Sequence, residues 1–327
     1  MDYQKLLGNK IDRRRLLGNL GMMGAGAVIT ACGAGAVAPP VEPVEPSTDL
    51  DPVILNFALN LEYLEAAFYL AAVGRLDELT AADGGTATIA LPDGFDGNEG
   101  IAFTDDDANI EAYANEIATN ELAHVVFLRT ALAAAGAPVA DRPALDLGPA
   151  FQAAAGAAFP SLGAEVTDAF NPFANSLFFL HGAFIFEDVG VTAYSGAAPA
   201  ITSAAFLAPA AGILSVEAYH AGQIRTLLYA ARETETPFGG ATVAQVVAGI
   251  SALRATVGGG KDEGIVNEDG SANINPTNDD GIAYARTPRE VANIVYLGID
   301  ATSGGFYPSG ITVPAGLEDG FAALLAL

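Results

Sequence analysis

From Asp51 to about Val73 the sequence PVILNFALNLEYLEAAFYLAAV is apolar all round, which predicts a helix buried on most sides. A second helix opens with Thr104 as N-cap and sets Asp105, Asp106 and Asp107 in its first turn, where the helix dipole favours negative charge. Gly136 ends it. Asn171 followed by Pro172 starts a third helix that ends near Tyr194, before Ser195 and Gly196. A fourth runs from about Ser203 to Arg232, with Pro209 either kinking its first turns or marking its true start. Between these runs, residues 74–103 read as loop with one short hairpin around TATIALPDGF, and residues 137–170 as a long connection with a partly helical, Ala-rich middle. Two tight helical hairpins joined by one long crossover make an all-α four-helix bundle over residues 51–232. Residues 233–327 are a loop-rich extension with a helix at 241–256 and another opened by Thr287, Pro288 and Glu290 as a capping box. The extension either caps the bundle or serves as an arm for a homo-oligomer.

Composition narrows the classes. Hydrophobic residues make up 51% of the 327 and charged residues 16%, ample for a large core. The formal net charge of −25 repels phosphate backbones and excludes nucleic acid as an expected partner. Residues 1–38 read as an export signal: Arg13, Arg14 and Arg15 precede a Gly-rich, weakly apolar run too short for a membrane span. DRRRLLG resembles the twin-arginine consensus, so the twin-arginine export machinery is an expected partner and the periplasm or cell envelope the expected location. The single cysteine, Cys32, follows Ile29, Thr30 and Ala31 as in a lipobox, which leaves two outcomes, a lipid anchor on Cys32 or ordinary cleavage near Ala34 to Ala38. Neither allows an internal disulfide. Residues 39–50 are a Pro-rich linker.

The chemistry lies in the helices. Two of the three histidines stand three residues after a glutamate, Glu121 with His124 and Glu217 with His220, and this spacing puts both side chains on one helix face. The rows Ala114, Ile117, Glu121, His124, Leu128 and Ile213, Glu217, His220, Ile224, Leu228 are otherwise apolar, so the ionisable pairs point inward. The other two helices offer Glu62 and Glu187 on apolar rows. Four buried carboxylates without compensation cost roughly several kcal/mol each, and these rows hold too few cationic side chains to pair them. One Glu from each of two helices and one Glu-x-x-His from each of the others is the ligand set of carboxylate-bridged dimetal bundles, for two transition-metal ions. One imidazole per metal favours iron or manganese over zinc.

An internal duplication supports this set. Glu62 and Glu187 are each followed seven residues on by a tyrosine, Tyr69 and Tyr194, and each Glu-x-x-His by an arginine five residues past the histidine, Arg129 and Arg225. The alignment selects Glu62 over Glu65 as ligand, since Glu65 falls opposite Gly190; Glu65 then supports the site as a hydrogen-bond acceptor or extra ligand. Asp188 reads either as an acceptor for a ligand histidine or as a partner of Arg129 or Arg225. Tyr69 and Tyr194 are either hydrogen-bonding or radical groups beside the metals or core side chains. His181 lies off the Glu187 face and reads as structural.

LNLEYLEAAFY, NELAHVVFLR, FEDVG and VEAYHAGQIRTLLY resemble the ferritin-like domain family that includes the plant desiccation-related proteins. RTPREVANIVYL and GGFYPSG in the extension are similar to its bacterial members. The resemblance implies a ferritin-like bundle, an exported or periplasmic setting and a link with desiccation or oxidative stress. Redox chemistry on oxygen or peroxide, ferroxidase or catalase-like, is one expected function. A non-catalytic, metal-stabilised envelope or stress protein is the other. The export signal, large inserts and added tail set the chain apart from storage ferritins and speak against cage assembly.

Overall fold

The computed structural model describes residues 49–327, so Arg13–Arg15, Cys32 and most of the Pro-rich linker lie outside the described residues. The all-round apolar run becomes helix α1, Asp51–Ala72, in which every residue but Pro52 and Ala58 is buried. α1 is long and apolar enough to cross a membrane, as is the stretch Ser176–Ala200, but burial inside the fold accounts for that character in both. Residues 74–103 are not simply loop. They hold a short helix α2, Leu76–Asp83, and a two-residue strand β1, Ile89–Ala90. No hairpin forms there: β1 pairs in parallel with β2, Leu145–Asp146, from the crossover. Parallel pairing needs a partner brought from far along the chain, which local alternation cannot reveal.

Thr104 caps a 3-10 turn, Asp105–Asp107, that leads into the second bundle helix, so Asp107 and not Thr104 is that helix's N-cap. Thr104 N–H and its hydroxyl both donate to Asp107 Oδ2, at 3.1 and 2.7 Å, and α3 follows as Ala108–Ala134. Gly136 then takes the left-handed conformation (φ 69°) that a helix stop favours. The crossover carries α4, Pro149–Ala158, and the single turn α5, Ala164–Thr167. The third bundle helix starts later than Asn171–Pro172. Asn171 instead makes a local turn, accepting from Phe173 N at 2.8 Å, and Asn175 is the N-cap of α6, Ser176–Ala197, accepting from Phe178 N at 2.9 Å. The fourth, α7, spans Ala204–Ala230 with Pro209 inside its second turn, where the amide it lacks leaves the Ala205 carbonyl without its helical partner. The Asp51 carboxylate accepts from the amides of Thr202 and Ser203, both at 2.8 Å, and ties the start of α1 to the start of α7.

The extension caps the bundle, in one compact unit with it. Its helices are α8, Val243–Val257, α9, Pro288–Val295, opened by the Thr287–Glu290 capping box, and α10, Glu318–Leu324. Phe306 packs edge-on against Phe186 of α6 at 4.9 Å and Phe151 of α4 at 5.0 Å. Tyr307 donates to Asn60 O at 2.7 Å, and the Asn60 amide exchanges two hydrogen bonds with the Thr312 backbone. A buried ion-pair chain adds to this: Asp188 accepts from Arg225 and Arg254, both at 2.8 Å, and Asp262 pairs with Arg254 and Arg286. The extension therefore covers α1 and α6 and meets α7 around Arg225, while α3 and the rest of α7 turn their outer faces to solvent.

Candidate metal centre

Each bundle helix delivers its acidic residue to one level. Glu62, Glu121 and Glu217 are 0% exposed and Glu187 1%, so these carboxylates see no bulk water. His124 Nδ1 lies 3.1 Å from Glu62 Oε2, 3.4 Å from Glu121 Oε2 and 3.5 Å from Glu217 Oε1. His220 Nδ1 lies 3.0 Å from Glu121 Oε1 and 3.4 Å from Glu187 Oε2. Two groups result in which every donor atom lies within 4.8 Å of the others: Glu62, Glu121, His124 and Glu217, and Glu121, Glu187 and His220. Glu121 belongs to both.

These contacts are short without being satisfied. Both oxygens of Glu121, Glu187 and Glu217, and Nδ1 of His220, are buried with no hydrogen-bond partner among the described residues. The 3.0 Å approach of His220 to Glu121 thus lacks hydrogen-bond geometry. Native interiors rarely tolerate so many orphaned polar atoms, and buried carboxylates that lack protein partners coordinate metals. The residues present fit a pair of cations.

Electrostatics agrees. Burial pushes Glu62 up to about 7 against the pull of His124. Burial and the Glu121 charge drive Glu217 well above the carboxylate range, and burial and Glu217 do the same to Glu65. Burial also raises Glu187. Glu121 goes the other way: burial works to raise it, but the two imidazoles of His124 and His220 beside it together outweigh that burial. Burial works against a charged His220, but Glu187 and Glu121 hold it up at about 11. His124 is likewise raised against its own burial, by Glu62, Glu121 and Glu217. A cation entering this cluster displaces protons that the carboxylates otherwise share.

The duplication seen in the sequence crosses over in space. Tyr194 on α6 donates to Glu62 Oε1 on α1, and Tyr69 on α1 faces Glu187 on α6. Each tyrosine thus stands against the glutamate of the other half, and Tyr194 is hydrogen-bonded to it. A second pairing stays within each hairpin: Arg129 donates to Tyr63, the residue after Glu62, and Arg225 to Asp188, the residue after Glu187. Of its two sequence readings, Asp188 therefore takes the arginine partner. Gly190 also has a spatial reason. A Cβ there would sit 2.3 Å from Glu217 Oε2 and 3.2 Å from Glu65 Oε1, so the bare glycine leaves room for both carboxylates.

Sequence reasoning missed Asn120, whose side-chain amide Nδ2 lies 3.2 Å from His220 Nε2. Its only signal was an amide next to Glu121. An amide rotated by half a turn would offer Oδ1 instead, the acceptor that a histidine needs when it coordinates through Nδ1. His181 stands apart from the cluster: it is fully buried, its Nδ1 donates to Leu177 O at 2.7 Å, and burial lowers it to about 4.

Residues 50–230 match the profile of the ferritin-like domain family. The chain is 33% identical, over 74% of its length and 76% of the relative's, to desiccation-related protein PCC13-62 of Craterostigma plantagineum. It is 28% identical to the ferritin-like catalase Nec2 of Nesocodon mauritianus, over 80% of this chain and 83% of that one. No solved structure matches the chain.

Proposed function

Because the chain belongs to the ferritin-like domain family and gathers these side chains in the dry centre of its bundle, we propose that Glu62, Glu121, His124, Glu187, Glu217 and His220 hold two iron or manganese ions in an exported redox protein acting on oxygen or peroxide. The observation that carries this reading is the set of buried, partnerless carboxylate oxygens beside two imidazoles. Oxygen-rich ligands with one imidazole per metal suit iron and manganese better than a structural zinc. When bound, such ions supply Lewis acidity and redox change toward an oxygen or peroxide ligand.

The chain's own residues do the rest. Glu121, common to both ligand groups, would be shared by the two ions. Tyr194 orients Glu62, Tyr69 stands beside Glu187, and the apolar rows around them exclude water. Glu65 supports the site from beside Glu217 as a proton-holding carboxyl. The relative named a catalase makes peroxide disproportionation to water and dioxygen the first reaction to assay. Arg13 to Arg15 and Cys32 support export by the twin-arginine route and a lipid anchor in the cell envelope.

The test is elemental analysis of the purified chain after anaerobic Fe(II) or Mn(II) loading, followed by peroxide disproportionation. Two ions per chain, lost together in the double variant His124→Ala with His220→Ala, are expected. One ion or none in the native chain would sink the reading. The relative named for desiccation favours a second reading, in which the metals only stabilise the fold. Full loading that raises the melting temperature without any turnover would select it.

A further inference from the structure

The four glutamates of the proposed ligand set are at most 1% exposed, yet Glu65, packed beside them, keeps 5%. What it meets is a narrow apolar cavity of about 10 Å³ between α1, α6 and the extension, lined by Leu61, Leu64, Val189, Gly190 and Phe306 among others. Ile185 of α6 and Ile294 of α9 also line it, and both line a second cavity of about 30 Å³ that lies further out, between α4 and α8. Those two isoleucines form the wall that the cavities share. The outer cavity ends among half-buried Ala158, Phe159, Leu253, Val257 and Leu297. Its single charged side chain, Arg254, is committed to Asp188, Asp262 and the Phe184 carbonyl.

Such a passage does not suit water or peroxide. A buried water needs two to four polar partners, and apolar cavities of this kind stay dry and take up xenon instead. Volumes of about 10 and 30 Å³ leave room for a diatomic gas. Polar molecules have another way in, since the His124 side chain, on the solvent-facing pair α3 and α7, is 10% exposed and Asn120 stands beside His220. Gly190 keeps the inner end open, because a Cβ there would fall between Glu65 and Glu217.

We propose that the C-terminal extension and α6 form an apolar passage for dioxygen, entering as oxidant or leaving as product, that runs past Ile294 and Ile185 to Glu65 at the metal cluster. Its destination rests on the metal reading above; the passage itself does not.

Xenon-pressurised crystals of the native chain should show xenon beside Ile185 and Ile294. Ile294→Phe should remove it and Ile294→Ala should increase its occupancy. In the iron-loaded chain, Ile294→Phe should slow Fe(II) oxidation by dioxygen at least tenfold and leave oxidation by added peroxide within twofold of native; Ile294→Ala should slow neither. Absence of xenon from the native chain, or equal slowing with both oxidants in Ile294→Phe, would overturn the proposal. A chain that binds xenon there but takes up no metal would sink the metal reading and leave the passage standing.

Discussion

Replacing Gly190 with alanine separates metal binding from folding. The added methyl would stand 2.3 Å from Glu217 Oε2, so that oxygen must retreat by about 1 Å to reach ordinary contact distance. Carboxylate ligands tolerate only about 0.2 Å of error around the metal, so this retreat removes Glu217 from coordination. The fold itself loses little. Alanine gains about 1 kcal/mol of helix propensity over glycine, against an overpacking cost of about 1–3 kcal/mol. A hundredfold loss of metal affinity removes about 2.7 kcal/mol of metal-dependent stability, about 5 °C of melting temperature in a domain of this size. Calorimetry with and without Mn(II), with elemental analysis, reads both quantities. Gly182→Ala, on the same helix as Gly190, is the control, because its Cβ would meet the Phe68 ring of α1 at 2.8 Å and no carboxylate. It should lower both melting temperatures equally. A Gly190→Ala chain that keeps the full metal-induced rise, or a Gly182→Ala chain that loses it, would refute the reasoning.

Asn120→Leu should weaken metal binding about 10–100-fold without changing the metal-free melting temperature, because it removes only the support of the His220 ring; competition with a chelator measures it. Glu62→Gln should lower metal occupancy while Glu65→Gln keeps both ions and changes reactivity, and the reverse pattern would mean that α1 is read one turn out of register. His181 is held down at about 4 by burial, below its ordinary 6.5, so the unfolded chain binds the extra proton between those values. Stability present above pH 6.5 is lost as pH falls to 4, by about 3 kcal/mol at most. Urea unfolding of metal-free protein at pH 7.5 and 5 should show His181→Leu lacking that part of the loss. Gly196→Ala would drive a methyl to 1.8 Å from the Arg286 carbonyl, and limited proteolysis should then cut the extension first.

The helices that hold the site were legible because burial imposes a period. Glu121 with His124 and Glu217 with His220 interrupt apolar rows at a spacing that only a helix face explains. The caps at Thr104, Gly136 and Thr287 were legible because their chemistry is local. What escaped depends on partners far along the chain. β1 needs β2, some 55 residues later. α2 is a short, half-polar helix with only Leu79 and Asp83 buried, too little for a period to show. The start of α6 was misplaced because two asparagines four residues apart both suit a cap, and only the fold assigns Asn175 to the helix. The tyrosines were marked by the repeat, but a one-dimensional repeat cannot say that Tyr194 reaches Glu62 and not Glu187.

The duplicated ligand set and the single extension pull the site in different directions. Duplication makes the two halves alike: a glutamate, a Glu-x-x-His pair, a tyrosine that crosses over and an arginine bonded to the residue after the glutamate recur in each. The extension breaks that likeness by covering α1 and α6 and meeting α7 through Arg225, whereas α3 of the first half keeps its outer face to solvent. One side of the cluster consequently faces apolar side chains and Glu65, the other the histidines, Asn120 and solvent. Reactivity in such a centre depends on which molecules arrive from which side, and the ligands themselves do not encode that. Changes in the extension around Ile294 and Phe306 should therefore alter selectivity between oxidants while leaving metal content constant, whereas changes in the six proposed ligands should alter metal content first. The order in which those two quantities fail, variant by variant, is what distinguishes a passage from a ligand shell.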